Sequence, residues 1–201
     1  MTETAFFRIH TKDISRSRID AAYFLMSPER RERCDRYLRE DDKVLCILSD
    51  MLLREKLSEK LGIAREELEF STGENGKPYL HGNPCFFSVS HAEEYVAVAL
   101  NEKHSVGIDI EKIRPIDFNM LSYFCTEKDI DFIYQGTERV KGTITDKTLL
   151  ERAFRVWTYK EAYVKSVGGR LLKIAPKISY DEKNCQEDSF EGYRQCIVTA
   201  E

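Results

Sequence analysis

Two long helical patterns with the same glycine stop constrain this 201-residue chain more than any other feature. Apolar residues at Val44, Ile47, Leu48, Met51, Leu52, Leu57 and Leu61 keep the period of one helix, and Gly62 stands where a left-handed cap ends it. A second long helix, predicted from about Leu149, meets Gly168-Gly169. Upstream of the first lies Ser27-Pro28-Glu29, where Ser caps, Pro suits the first helical position and Glu meets the positive end of the dipole. Upstream of the second lies the cap Thr126-Glu127-Lys128-Asp129. The two starts are 99 residues apart and the two stops 106, a difference that a longer loop between Gln135 and Asp146 absorbs. Strands are predicted at residues 6–9, 85–90, 95–100 and 106–110, and near 177–181 and 196–200. Asn75-Gly76 signals a turn. This order predicts an α+β fold of two similar halves, residues 1–103 and 104–201, joined near 101–105. The repeat lies in element order, not in residue identity.

With 42 % hydrophobic and 33 % charged residues the chain can bury a core and is not disordered. A net charge of −4 argues against general nucleic-acid binding, so any nucleotide must meet a local basic patch. Met1-Thr2-Glu3-Thr4 lacks the basic-then-apolar order of a signal peptide, and no apolar run nears the roughly 18 residues of a membrane span. Six scattered cysteines with no C-x-x-C pair point away from zinc and redox motifs. The expectation is a cytoplasmic protein with free thiols and no membrane partner.

The chemistry concentrates in the second half. Asp109 and Glu111, in Val106-Gly107-Ile108-Asp109-Ile110-Glu111, sit at i, i+2, so a strand aims both acids at one face. The plain reading is a solvated sheet face, but neighbouring like charges repel and a cation between them offsets that cost. Glu161 and Lys165, in Trp157-Thr158-Tyr159-Lys160-Glu161-Ala162-Tyr163-Val164-Lys165, form by themselves an ordinary i, i+4 helix pair. Trp157 shares their face and favours a partly buried edge, where an acid suits metal binding or base catalysis. Three hard carboxylates suit Mg²⁺ or Mn²⁺ better than zinc.

The first half offers groups to phosphates. Ser90 and His91 end an apolar strand with a hydroxyl, an imidazole and backbone N–H groups, and Arg30 and Arg33 at i, i+3 can grip one phosphate together. Gly76-Lys77-Pro78 can edge a flat base with its backbone while Lys77 reaches a phosphate. Arg31, Arg36 and Arg39 read as a solvated charged face. No G-x-x-x-x-G-K-[ST] loop, G-x-G-x-x-G fingerprint or G-x-S-x-G elbow is present, so phosphates fall to side chains and a metal.

Together these blocks, with Ser27-Pro28-Glu29-Arg30-Arg31-Glu32-Arg33-Cys34, Asn75-Gly76-Lys77-Pro78 and Phe87-Ser88-Val89-Ser90-His91, resemble the 4′-phosphopantetheinyl transferases, the surfactin-synthetase-activating type above all. The resemblance covers nearly the whole chain. It implies a pseudo-dimer of two α+β halves with coenzyme A in the interface cleft, and a monomer, since two joined halves complete one site. It implies Asp109, Glu111 and Glu161 as Mg²⁺ ligands (Mn²⁺ is the alternative) and Lys165 at the pyrophosphate. Arg30 and Arg33 match residues for the 3′-phosphate, Ser90 and His91 also match phosphate contacts, and Gly76, Lys77 and Pro78 match the adenine segment. Cys46 stands where close relatives have a hydroxyl residue near the 3′-phosphate.

The implied reaction moves the phosphopantetheine arm of coenzyme A to a serine of an apo acyl or peptidyl carrier protein, from fatty acid, polyketide or nonribosomal peptide synthesis, and releases 3′,5′-ADP. Asp109, Glu161 and Lys165 carry the catalysis, with Glu161 the candidate base and Glu127 the second. The 47 residues between Asp109 and Trp157 place extra loop, 135–148, near the expected carrier surface. A non-catalytic coenzyme A or carrier-protein binding module is the alternative, and a metal-dependent nucleotide hydrolase a further one.

Overall fold

A computed structural model describes residues 4–82, 84–139 and 142–200. The polar start at residues 1–3, and residues 140 and 141 of the loop at 135–148, lie outside the described residues. Strand β1 (Ala5–His10) leads to helices α1 (Arg16–Leu25), α2 (Pro28–Asp35) and α3 (Glu40–Leu61). The hairpin β2 (Phe70–Thr72) and β3 (Pro78–Leu80) follows, then β4 (Phe86–Ala92) and β5 (Tyr95–Asn101). Beyond the junction come β6 (Val106–Lys112), β7 (Ile116–Asp117), α4 (Phe118–Ser122), α5 (Glu127–Tyr134) and β8 (Thr143–Ile144). The chain ends with α6 (Lys147–Val167), α7 (Leu171–Ile174), β9 (Gln186–Phe190) and β10 (Tyr193–Thr199).

The helix signals act as their chemistry requires. Ser27 accepts from the Arg30 N–H, and Thr126 with Asp129 closes a capping box on α5. Gly62 and Gly168 end α3 and α6 at φ 67° and 63°, a region where a Cβ is strained.

Two antiparallel three-stranded sheets result, with strand orders β1-β5-β4 and β6-β10-β9. In each, the first strand pairs with the last, and the middle strand takes the far edge. The buried residues explain the layering. Val96, Val98 and Leu100 of β5 join the α3 core of Leu48, Leu52 and Leu57. Tyr95, Ala97 and Ala99, on the opposite face, join Val106, Ile108 and Ile110 of β6. The sheets therefore pack on each other, α3 covers the outer face of the first and α6 covers that of the second. This is why β5 is buried along its whole length instead of alternating. No helix among the described residues is long and apolar enough to cross a membrane.

Gly107 sets how closely α6 approaches. A Cβ there would lie 1.8 Å from the Ala162 carbonyl oxygen, well inside contact distance. Gly107→Ala must push α6 off β6, and the expected cost is about 1–3 kcal/mol or more, read from the denaturant midpoint. A loss below about 0.5 kcal/mol would show that the helix does not sit this close.

Three expectations need correction. Residues 177–181 do not form a strand: the Ile178 carbonyl is taken by Lys160, the Tyr180 N–H by Asp129 and the Ser179 hydroxyl by Thr126. With its backbone claimed by side chains, the segment has no ladder to join. The final strands are β9 and β10; the polar run Gln186-Glu187-Asp188-Ser189 hides β9 because this edge strand is half exposed. The six thiols are not all free. Cys34 of α2 and Cys46 of α3 form a disulfide, Cα–Cα 5.8 Å, so Cys46 holds two helices together where the resemblance places a hydroxyl.

Candidate active site

The period-two register of β6 turns Val106, Ile108 and Ile110 toward the first sheet and Gly107, Asp109 and Glu111 toward α6. The helical period of α6 places Trp157, Glu161 and Lys165 along the face opposite them. Lys165 Nζ lies 2.7 Å from Asp109 Oδ1 and 3.0 Å from Ser90 Oγ, and the Ser90 hydroxyl donates to the same carboxylate oxygen at 2.9 Å. The indole N–H of Trp157 donates to Glu111 Oε1 at 3.1 Å. The lone tryptophan therefore orients one acid while its ring packs on Phe124.

Two serines of β4 tie the sheets together at this point. Ser88 Oγ accepts from the Ile108 N–H and Ser90 Oγ from the Ile110 N–H. Sequence reading missed Ser88. Its signal was the Ser88-Val89-Ser90 spacing, which puts both hydroxyls on one face of the strand.

The electrostatics are those of crowded acids in a dry setting. Burial is the chief force raising the Asp109 carboxyl above its usual range, and Lys165 opposes it. Burial and then the Asp109 charge raise Glu111. Burial, again followed by Asp109, pushes Glu161 up to about 7. All three resist being ionised together, the condition that a divalent cation relieves.

The donor set fits such an ion. Asp109 Oδ2 is buried with no hydrogen-bond partner among the described residues, and the neighbouring donors are hard oxygens. No group of three His, Cys, Asp or Glu side chains among the described residues converges at ligating distance. Closing the set therefore calls for side-chain movement, and Oδ2 is the Asp109 oxygen left for an ion, because Lys165 and Ser90 hold Oδ1.

Of the remaining candidates, only His91 is shown in the field of this cluster. Burial, then Lys165, lowers His91, while Asp42 of α3 and Asp109 raise it, so its imidazole lies in the field of both halves. Arg30 and Arg33 stand on α2; Arg30 Nε donates to Asp50 Oδ1 at 3.2 Å, and Arg33 is exposed. Gly76 takes φ 86° in the β2–β3 turn, which Pro78 closes as the first residue of β3. Lys77 Nζ is committed to Ser105, Val106 and Ser166 instead of reaching outward. Glu127 begins α5 and pairs with Arg139 on the surface, 3.1 Å away.

Comparison with known proteins gives the family of the chain. The N-terminal domain of 4′-phosphopantetheinyl transferases matches residues 13–103, and the 4′-phosphopantetheinyl transferase superfamily matches residues 105–197. The chain belongs to the 4′-phosphopantetheinyl transferase superfamily. It is 31 % identical over 143 residues to 4′-phosphopantetheinyl transferase gsp of Aneurinibacillus migulanus, covering 71 % of this chain and 56 % of the relative. It is 30 % identical over 147 residues to 4′-phosphopantetheinyl transferase Sfp of Bacillus subtilis, covering 73 % and 62 %. A second 4′-phosphopantetheinyl transferase of B. subtilis is 25 % identical over 191 residues, covering 93 % and 81 %. The match thus takes in less than two thirds of the first two relatives' length.

Proposed function

We propose that this protein is a holo-carrier-protein synthase: it moves the 4′-phosphopantetheine arm of coenzyme A to a serine hydroxyl of an apo acyl or peptidyl carrier protein. The observation that carries the reading is the contact of Lys165, Ser90 and Asp109 where α6, β4 and β6 meet, with an unpartnered Asp109 oxygen beside it. The two sheets are read as the halves of a pseudo-dimer, residues 1–103 and 104–201, with the site at their interface and a monomer as the working unit. A cytoplasmic location suits coenzyme A as substrate.

Asp109, Glu111 and Glu161 would hold Mg²⁺, or Mn²⁺, which supplies positive charge to a bound pyrophosphate. The chain's own residues do the rest. Arg30 and Arg33 take the 3′-phosphate, His91 adds a donor, and the backbone of Gly76, Lys77 and Pro78 edges the adenine. Ser90 fixes Asp109 and Lys165 relative to each other. Glu161, directly or through a bound water, accepts the proton of the carrier serine. The serine oxygen forms a bond to the β-phosphorus as the bond from that phosphorus to the bridging oxygen breaks, and 3′,5′-ADP leaves with the electron pair. Lys165 lies where that charge develops and stabilises it. Holding two substrates in line contributes much of the rate.

The test is direct. The protein is mixed with coenzyme A, Mg²⁺ and an apo carrier, and the carrier is weighed by mass spectrometry. A gain of one phosphopantetheine is expected. Pantetheine phosphate released without carrier modification would instead make the protein a hydrolase, and an unchanged mixture would leave only a binding module.

A further inference from the structure

The sequence offers the Lys77 ammonium to a phosphate, but the structure commits it elsewhere. Its Nζ donates to the Ser105 hydroxyl at 2.8 Å, the Ser166 carbonyl at 2.9 Å and the Val106 carbonyl at 3.3 Å. Ser105 Oγ donates to the same Ser166 carbonyl. Two residues earlier, Asn75 Nδ2 donates to the Gly168 carbonyl at 3.0 Å. The turn at residues 73–77 therefore grips the end of a helix that lies about 90 residues further along the chain.

The last acceptors of α6 can be followed one by one. The Tyr163 carbonyl takes the Ser166 hydroxyl, Val164 takes the Gly169 N–H and Lys165 takes the Gly168 N–H. Of the carbonyls of Ser166, Val167 and Gly168 that follow, the first takes Lys77 and Ser105 and the last takes Asn75, all from outside the helix. An ammonium also complements the negative end of the helix dipole. This end matters because Ser166 follows Lys165, whose Nζ rests on Asp109 and Ser90. Fraying by one turn carries Lys165 off its acid. Burial alone pulls Lys77 down to about 8, and no carboxylate offsets it. Its fixed partners are two carbonyls and a hydroxyl from β6, its lead-in and α6.

We propose that the Lys77 side chain is a positioning element: it latches the C-terminal turn of α6 to the β2–β3 turn, keeps Lys165 on Asp109, and takes no phosphate. Its kinetic consequence rests on the transferase reading above, while its structural consequence does not.

Lys77→Met keeps the apolar stem and removes all three hydrogen bonds; Lys77→Arg keeps the charge. In the free protein, hydrogen exchange of the Gly168 and Gly169 amides should quicken about tenfold or more in Lys77→Met, and Lys77→Arg should restore part of the protection. With coenzyme A and an apo carrier, kcat should fall about tenfold or more, and the Kd for coenzyme A by calorimetry should shift by a smaller factor, together with the loss of α6 protection, because the same turn carries the Gly76–Pro78 backbone. Ser105→Ala, which removes the second outside donor to Ser166, should shift exchange the same way by a smaller factor. Unchanged exchange in both Lys77→Met and Ser105→Ala overturns the latch. So does a Kd for coenzyme A weakened more than about tenfold with α6 protection intact, since the ammonium would then be a phosphate ligand. A wild-type protein that transfers nothing removes the kinetic arm only, and the exchange measurement still decides.

Discussion

Asp109→Asn is expected to lower the single-turnover transfer rate by on the order of 10²–10³-fold or more while the protein stays folded. The carboxylate does two things with a negative charge that an amide lacks. Its Oδ1 holds the Lys165 ammonium at 2.7 Å with Ser90 as a second partner, and its buried Oδ2 is left for a cation. Asn keeps the volume and one acceptor but gives up the charge. The fold should tolerate this, because burial already disfavours the ionised acid at that position. Two measurements check the argument together. Thermal unfolding of Asp109→Asn should stay within a few degrees of wild type, and Mg²⁺ should raise the wild-type midpoint more than that of the variant, as ligand linkage requires. Transfer within threefold of wild type would remove Asp109 from the machinery. Lys165→Ala should slow turnover more than it weakens carrier binding, since that ammonium meets charge that builds only during transfer.

Lys160→Met is expected to destabilise the fold by about 3–5 kcal/mol, without the residue touching substrate. Lys160 is wholly buried, with Nζ 2.8 Å from the equally buried Asp129 and also bonded to the carbonyls of Ala175 and Ile178. Asp129 in turn accepts from the Thr126 N–H and hydroxyl and from the Tyr180 N–H. One ion pair thus joins the start of α5, the middle of α6 and the irregular segment before β9. Removing the cation leaves a buried carboxylate and two carbonyls short of a donor. For a chain of this size the loss corresponds to a fall in Tm on the order of 10 °C. The double variant Lys160→Met/Asp129→Asn should recover part of it, with a coupling of about 1 kcal/mol or more. A single-variant loss under about 1 kcal/mol would mean that water reaches this pair.

The two helix stops, the caps at Ser27 and Thr126 and the strands at 85–90, 95–100 and 106–110 were legible because each rests on neighbours in sequence. A left-handed glycine, a hydroxyl three residues before an N–H and alternation along one strand are local physics. The acids and Lys165 were legible for the same reason: period two on β6 and period 3.6 on α6 fix which side chains share a face. The segment at 177–181 was not, although its residues suit a strand, because distant side chains outbid the ladder for its backbone. Nor was the Cys34–Cys46 bond, whose partners carry no spacing motif and meet only where α2 crosses α3.

The chain by itself determined its two long helices with their stops, the strands β1, β4, β5 and β6, and the chemical inventory of the site, since these follow from side-chain type at short separation. Only the tertiary structure decided how the inventory is divided. It buried β5 on both faces, brought Ser88 and Ser90 of one sheet to the N–H groups of the other, and set Lys165 on Asp109. It also took Lys77 away from solvent and placed it on the end of α6. Such choices depend on which donors and acceptors meet across long loops, and buried polar groups accept whichever partner the packing brings within reach.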